Sequence, residues 1–258
     1  MAAIKPVVAQ RRRGFSTVLR YKPYVQPRYT TSHVCFESMP DVVRSRIAPG
    51  MAVCEIGAGA NPLLSRDEQE RLQIAYTLVD IDGQELAKAP DGVRKIELDI
   101  TSSAPPSSFD VVISMNLAEH VRDPKAMHRN VRTMLQPGGV AIHFFPTLYA
   151  APFMINRVVP ETFAEAVLLR LQPYRVSSGS RGKFPAYYRW CRGPTRRQQG
   201  RMLSVGFAID EYVAGFGHAY YSRAPVLQRL EDAKTRFLLR HPIALLTSYA
   251  IIVLRRPL

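Results

Sequence analysis

The sequence predicts a doubly wound α/β domain on a mostly parallel sheet, and three observations carry that reading. Short apolar runs recur at 51–57, 75–81, 93–98, 109–115 and 140–145, each the length of a strand buried on both faces. Segments with helix signals separate these runs, so parallel strands with helical crossovers are expected. With 47% hydrophobic residues over 258 positions, the chain can bury a full core, which excludes disorder of the whole chain.

The elements follow in order. The first 30 residues mix Arg, Pro and Tyr without apolar periodicity, and residues 1–35 are assigned to a basic tail ahead of a domain at 36–258. A short helix is expected from Phe36 to Ile47, closed by Pro49-Gly50. Strand MAVCEIG leads to a helix over 62–72 with Pro62 in its first turn. Strands AYTLVDI, 93–98 and FDVVISM come next, then a helix over 123–135 that Pro137-Gly138-Gly139 stops before strand VAIHFF. Residues 147–193 interrupt the alternation as an insertion, with a helix expected over 161–171 and a basic, aromatic loop up to Arg192. A helix over 194–205, strand GFAIDEYV, an amphipathic helix over 226–238 and a last strand over 247–254 complete seven strands. The apolar stretch from Ile243 to Leu254 reads as core and is too short to span a bilayer.

Charge is unevenly placed. Lys and Arg number 35 against 21 Asp and Glu, a net charge of +14. Residues 1–36 hold seven basic residues and residues 166–209 hold nine, with no acid in either segment. The remainder is close to neutral. Such segments attract phosphates, anionic lipid surfaces or acidic substrates. Three scattered cysteines, Cys35, Cys54 and Cys191, form no CxxC pair, so neither a disulfide scaffold nor a metal site is expected. No apolar signal region precedes the domain, so a cytoplasmic location, peripheral to a membrane, is expected. The run RRRGFST raises a mitochondrial alternative, if residues 1–20 act as a transit peptide.

The sharpest chemical signal is Glu55-Ile56-Gly57-Ala58-Gly59-Ala60-Asn61, closing the first strand. Glycines at a strand-to-helix turn let backbone approach a ligand, because no Cβ intervenes. Asp80 ends the second strand, where a carboxylate can accept from ribose hydroxyls. The third glycine of the dinucleotide pattern is missing, which argues against pyrophosphate binding. Asp82 reads as a turn residue and His143 as a core histidine. Glu119 and His120 follow the fourth strand, where active sites of open α/β sheets lie.

In order, CEIGAGAN, LVDID, ELDIT, FDVVISMNLAEHVRDP and LQPGGVAIHFFP resemble the class I S-adenosylmethionine-dependent methyltransferases, in the branch that includes quinone-biosynthesis enzymes. The resemblance runs from about Met51 to Pro146 and implies a Rossmann-like methyltransferase fold with S-adenosyl-L-methionine as cofactor. It implies that Glu55 acts near the methionine amino group and that Gly57, Ala58 and Gly59 pass under the cofactor. Asp80 would bind the ribose, with Ile81 on the adenine face. Asp99 would accept from the adenine amino group and the Ile100 amide would donate to the ring. Asn116 and Leu117 would border the methionine end. The departures are Ala60, where many members carry a glycine, and the long insertion.

A sulfonium methyl needs little covalent help, so alignment and water exclusion dominate. A general base is required only for an acceptor that stays protonated, and His120 with Glu119 is the candidate. Asn116-Leu117-Ala118-Glu119 stands where many amino-group methylases carry Asx-Pro-Pro-aromatic, which favours oxygen or carbon as acceptor atom. The apolar stretch 144–159, with the aromatic and basic residues after it, suits a lid over a small or lipid-like acceptor, or contact with an anionic membrane surface. Two alternatives remain: an RNA methyltransferase gripping phosphates through the basic segments, and a non-catalytic interaction protein of the same fold.

Overall fold

The computed structural model describes residues 24–148, 185–222 and 224–258. The helix expected over 161–171 and most of the lid lie outside the described residues, as does the tail up to residue 23.

Eight strands form one sheet: β1 Arg28–Thr31, β2 Ala52–Ile56, β3 Ala75–Asp80, β4 Arg94–Glu97, β5 Phe109–Met115, β6 Leu135–Pro146, β7 Ala208–Phe216 and β8 Tyr249–Arg255. Their spatial order is β1-β7-β8-β6-β5-β2-β3-β4. Only β8 runs antiparallel to its neighbours, β6 and β7. The helices are α1 Ser32–Glu37, α2 Met39–Arg44, α3 Arg66–Leu72, α4 Gly83–Ala87, α5 Pro124–Met134, α6 Arg196–Ser204 and α7 Pro225–Arg240.

Both faces of the sheet are covered, as the continuous apolar runs require. On β5, Val111 and Ile113 face a core completed by Cys35, Met39 and Val43 of α1 and α2. Val112, between them, faces a second core with Met127 and Val131 of α5 and Met202 of α6. Among the described residues no helix is long and apolar enough to cross a membrane.

Three expectations need correction. The sheet has eight strands rather than seven, because Arg28–Thr31 lies in the stretch read as tail and pairs parallel with β7. Its four residues, Arg-Tyr-Thr-Thr, show no apolar alternation; Tyr29 instead stacks on Phe216 at 5.3 Å and Arg28 lies 3.5 Å from Glu211. The helix expected over 36–47 is two short helices, the first capped by Thr31 and the second opened by Pro40. The stretch from Ile243 to Leu254 is core only from Thr247 onwards, since Ile243, Leu245 and Leu246 are exposed.

Of the apolar residues of α7, Leu238 is buried, while Val226, Leu227, Leu230 and Phe237 face outwards. The helix seats itself by its polar side: Glu231 is buried with Nε2 of His218 3.5 Å from its carboxylate, and Lys234 pairs with it at 2.6 Å. Thr235 packs on Gly217, where a Cβ would come within 2.5 Å of the threonine hydroxyl. That close approach fixes which face of α7 meets the sheet.

Candidate active site

The carboxyl ends of β2, β3, β4 and β5 open into a cleft of about 460 Å³. Its floor is the turn after β2. Gly57 and Gly59 adopt φ of +70° and +51°, a region that favours glycine. The Gly57 amide donates to the Val79 carbonyl at 2.7 Å, and a Cβ at Gly57 would lie 2.9 Å from Leu117 Cδ1. The cradle therefore needs glycine both for its backbone and for its space.

Asp80, at the tip of β3, accepts from the Gly59 amide at 2.8 Å and the Asp82 amide at 2.9 Å. These bonds aim the carboxylate into the cleft and leave lone pairs for a ligand. Asp82 caps α4 through the Gln84 and Glu85 amides, as a turn residue should. Asp99 accepts from the amide and hydroxyl of Thr101, both at 2.8 Å, and from the Ser102 hydroxyl at 3.2 Å. Partial burial pushes the Asp99 carboxyl up, and these bonds more than reverse that, holding it below the usual range.

Gly57, Asp80, Ile81, Asp99, Ile100, Asn116 and Leu117 line this cleft, and so does His120. Ala58 and Gly59 do not line it; they shape the turn behind it. Glu55 is also turned away. Its buried carboxylate accepts from the Leu63 amide at 2.9 Å and from the Tyr76 hydroxyl, so it braces the turn from inside. Burial raises its pKa, and the two donors oppose that rise. A placement near the methionine amino group has no support in this orientation.

Glu119 and His120 face different ways but stay in contact, with His120 Nε2 3.7 Å from Glu119 Oε1. His120 faces the cleft, with Nδ1 3.1 Å from the Pro185 carbonyl. Glu119 points into the protein, 4% exposed, with Oε2 unpartnered among the described residues and its carboxyl pushed up to about 8 by burial. Its main-chain carbonyl accepts from the Tyr187 and Tyr188 amides, tying the end of the insertion to the cleft. His143 is a core residue, fully buried with Nδ1 2.7 Å from the Ser114 hydroxyl.

Sequence reading missed Arg122 and Pro185 among the cleft residues. Arg122 stands inside a quoted motif and was within reach, whereas Pro185 arrives from 65 positions beyond His120 and no local signal marks it. Tyr187 belongs to the aromatic stretch expected in the lid and lines the cleft. Sequence reading also missed a second cavity of about 660 Å³, lined by Ser32, His33, Phe144, Phe216, Tyr220 and Tyr249 among others. Asn116 borders both cavities. It sits at φ +51° with its amide bonded to the Phe144 carbonyl at 2.9 Å, so the partition between the cavities is one residue held in a left-handed turn.

Residues 54–141 match a methyltransferase domain family. The Albidiferax ferrireducens ubiquinone biosynthesis O-methyltransferase is 32% identical over 113 residues, 40% of this chain and 43% of that protein. Residues 54–141 therefore carry a methyltransferase domain. The chain spans less than half the length of the curated relatives it matches first. The S-adenosylmethionine-dependent methyltransferase from Mesorhizobium loti shares its fold, with a TM-score of 0.53 at 17% identity, covering 84% of this chain and 96% of that one. The geranyl diphosphate C-methyltransferase from Streptomyces coelicolor does so with a TM-score of 0.53 at 12% identity, covering 87% and 80%.

Proposed function

We propose that this methyltransferase transfers a methyl group from S-adenosyl-L-methionine to an oxygen of a small, lipid-like acceptor. The observation that carries the reading is the meeting of two cavities at Asn116, one holding the carboxylates of Asp80 and Asp99, the other walled by Phe36, Phe144 and Phe216. The glycine cradle and the two aimed carboxylates fit the cofactor. When bound, it supplies an electrophilic methyl on a cationic sulfur.

The chain's residues do the rest. Asp80 accepts from the ribose hydroxyls and Asp99 from the adenine amino group, while Ile81 packs on the base and the Ile100 amide donates to its ring. Asn116 and Leu117 border the methionine end through backbone groups. The aromatic walls of the second cavity hold the acceptor and exclude water, which brings the nucleophile into line. His120 takes the acceptor proton, directly or through one water, as the acceptor oxygen commits its lone pair. Glu55 braces the cradle and Glu119 anchors the insertion. The ubiquinone-biosynthesis relatives support oxygen as the acceptor atom, and the basic segments support an anionic membrane surface as a partner.

Calorimetry with S-adenosyl-L-methionine, followed by transfer of a labelled methyl to a prenylated catechol, tests the reading. Binding without transfer to any phenolic or catecholic lipid would discard the acceptor class. No binding at all would discard the cofactor assignment.

A further inference from the structure

We infer that the outward face of α7 is a docking surface for an anionic lipid bilayer. Val226, Leu230, Ala233 and Phe237 recur at helical spacing along one stripe, and the three large ones are 69%, 63% and 57% exposed. Arg229, Arg236 and Arg240 repeat at the same spacing along its flank, all exposed and without a carboxylate partner among the described residues. No acid lies within the apolar stripe, and the exposed Asp232, which borders the arginine row, accepts from the Gln228 side-chain amide at 2.8 Å. Glu231 is buried against His218, and Asp232 lines the second cavity. Beyond the helix, Ile243, Leu245 and Leu246 are exposed as well.

An apolar stripe edged by arginines is the pattern of a helix lying in a bilayer interface. The apolar residues enter the acyl boundary while the guanidinium groups meet phosphates. A second copy of the chain fits less well. An antiparallel two-fold contact over the stripe would set one arginine row against its symmetry mate, and like charges brought together oppose association. Beyond the arginine row, Gln228, Asp232 and Thr235 of α7 line the second cavity. Docking would therefore hold that cavity near the membrane, a consequence that rests on the lipid-like acceptor proposed above.

Flotation of the full chain with phosphatidylcholine vesicles, with and without phosphatidylglycerol, tests the surface. Wild-type protein should float with the anionic vesicles and less with neutral ones. The difference should shrink as salt rises and the Debye length falls from about 10 Å at 0.1 M to about 3 Å at 1 M. Leu230→Glu with Phe237→Glu should lower vesicle affinity by about tenfold or more. Arg229→Gln with Arg236→Gln and Arg240→Gln should remove the anionic preference and leave the weaker attachment to neutral vesicles. Both variants should keep the thermal midpoint and the cofactor affinity of the wild type. Absent flotation at low salt, or undiminished binding by the double variant, would overturn the proposal. So would a fall in the double variant's thermal midpoint, which would mean that the stripe is covered within the chain. A dimer that the double variant dissociates, without wild-type flotation, would reassign the face to contact between copies. Flotation without cofactor binding would keep the surface and sink the active-site reading instead.

Discussion

Replacing Glu119 by Gln should change how stability depends on pH. The carboxyl sits 4% exposed between the cleft and the core, and burial raises its pKa from the usual 4.5 to about 8, with only its own backbone amide opposing the rise. Between those two values the native protein holds a proton that the unfolded chain has released. Stability is therefore fully present below about pH 4.5 and falls as pH rises towards 8, by up to about 1.4 kcal/mol per pH unit. Carried across the whole window this would reach about 5 kcal/mol, and structural relaxation around the ion reduces it to about 2–4 kcal/mol. Gln is neutral at every pH and lacks the slope. Its amide donors need partners that this pocket was not shaped to give, which costs about 1–3 kcal/mol independent of pH. The two stability curves should therefore converge or cross as pH rises. Urea denaturation at intervals from pH 5 to 8.5 measures both curves, and titrating groups remote from Glu119 cancel in the difference, while His120, 3.7 Å away, is removed in both backgrounds by His120→Ala. Parallel curves would refute the reasoning and show that Glu119 is ionised in the native state.

Three further outcomes concern the cleft. Asp80→Ala should weaken S-adenosyl-L-methionine binding by about 1.5–3 kcal/mol through loss of a charge-assisted contact, and Asp99→Ala by less; equal affinities in calorimetry would remove Asp80 as the ribose ligand. Gly57→Ala should lose cofactor binding and about 1–2 kcal/mol of stability, because its Cβ meets Leu117 at 2.9 Å in a left-handed conformation; a variant that binds like the wild type would show that Leu117 yields freely. His120→Ala should lower kcat while cofactor affinity stays nearly constant, and unchanged turnover would assign His120 to structure.

The strands over 51–57, 75–81 and 109–115 were legible because burial on both faces demands continuous apolar runs, and β2, β3 and β5 lie where those runs stand. Seven of the ten residues expected at the cofactor line one cleft, since each is tied to a strand end by short-range geometry, while Ala58 and Gly59 lie behind it in the turn. Glu55 broke the pattern because its strand position is local but its rotamer is not. Tyr76 on the adjacent strand and the Leu63 amide draw the carboxylate inwards. Glu119 and His120 are neighbours in sequence, and the 3-10 turn over Ala118–His120 sends one side chain into the core and the other to the cleft.

The sequence by itself determined the domain class, the glycine cradle and the two carboxylates, because periodicity and turn chemistry act over a few residues. Only the tertiary structure decided that Arg28–Thr31 joins the sheet, since an edge strand is specified by its partner β7 rather than by its own pattern. It also decided that α7 turns its apolar stripe outwards. Periodicity identifies a stripe, but which face meets the protein depends on contacts from distant segments, here Gly217 against Thr235 and His218 against Glu231. The second cavity has the same origin, for its walls come from α1, β6, β7, α7 and β8 and meet only when the sheet is assembled.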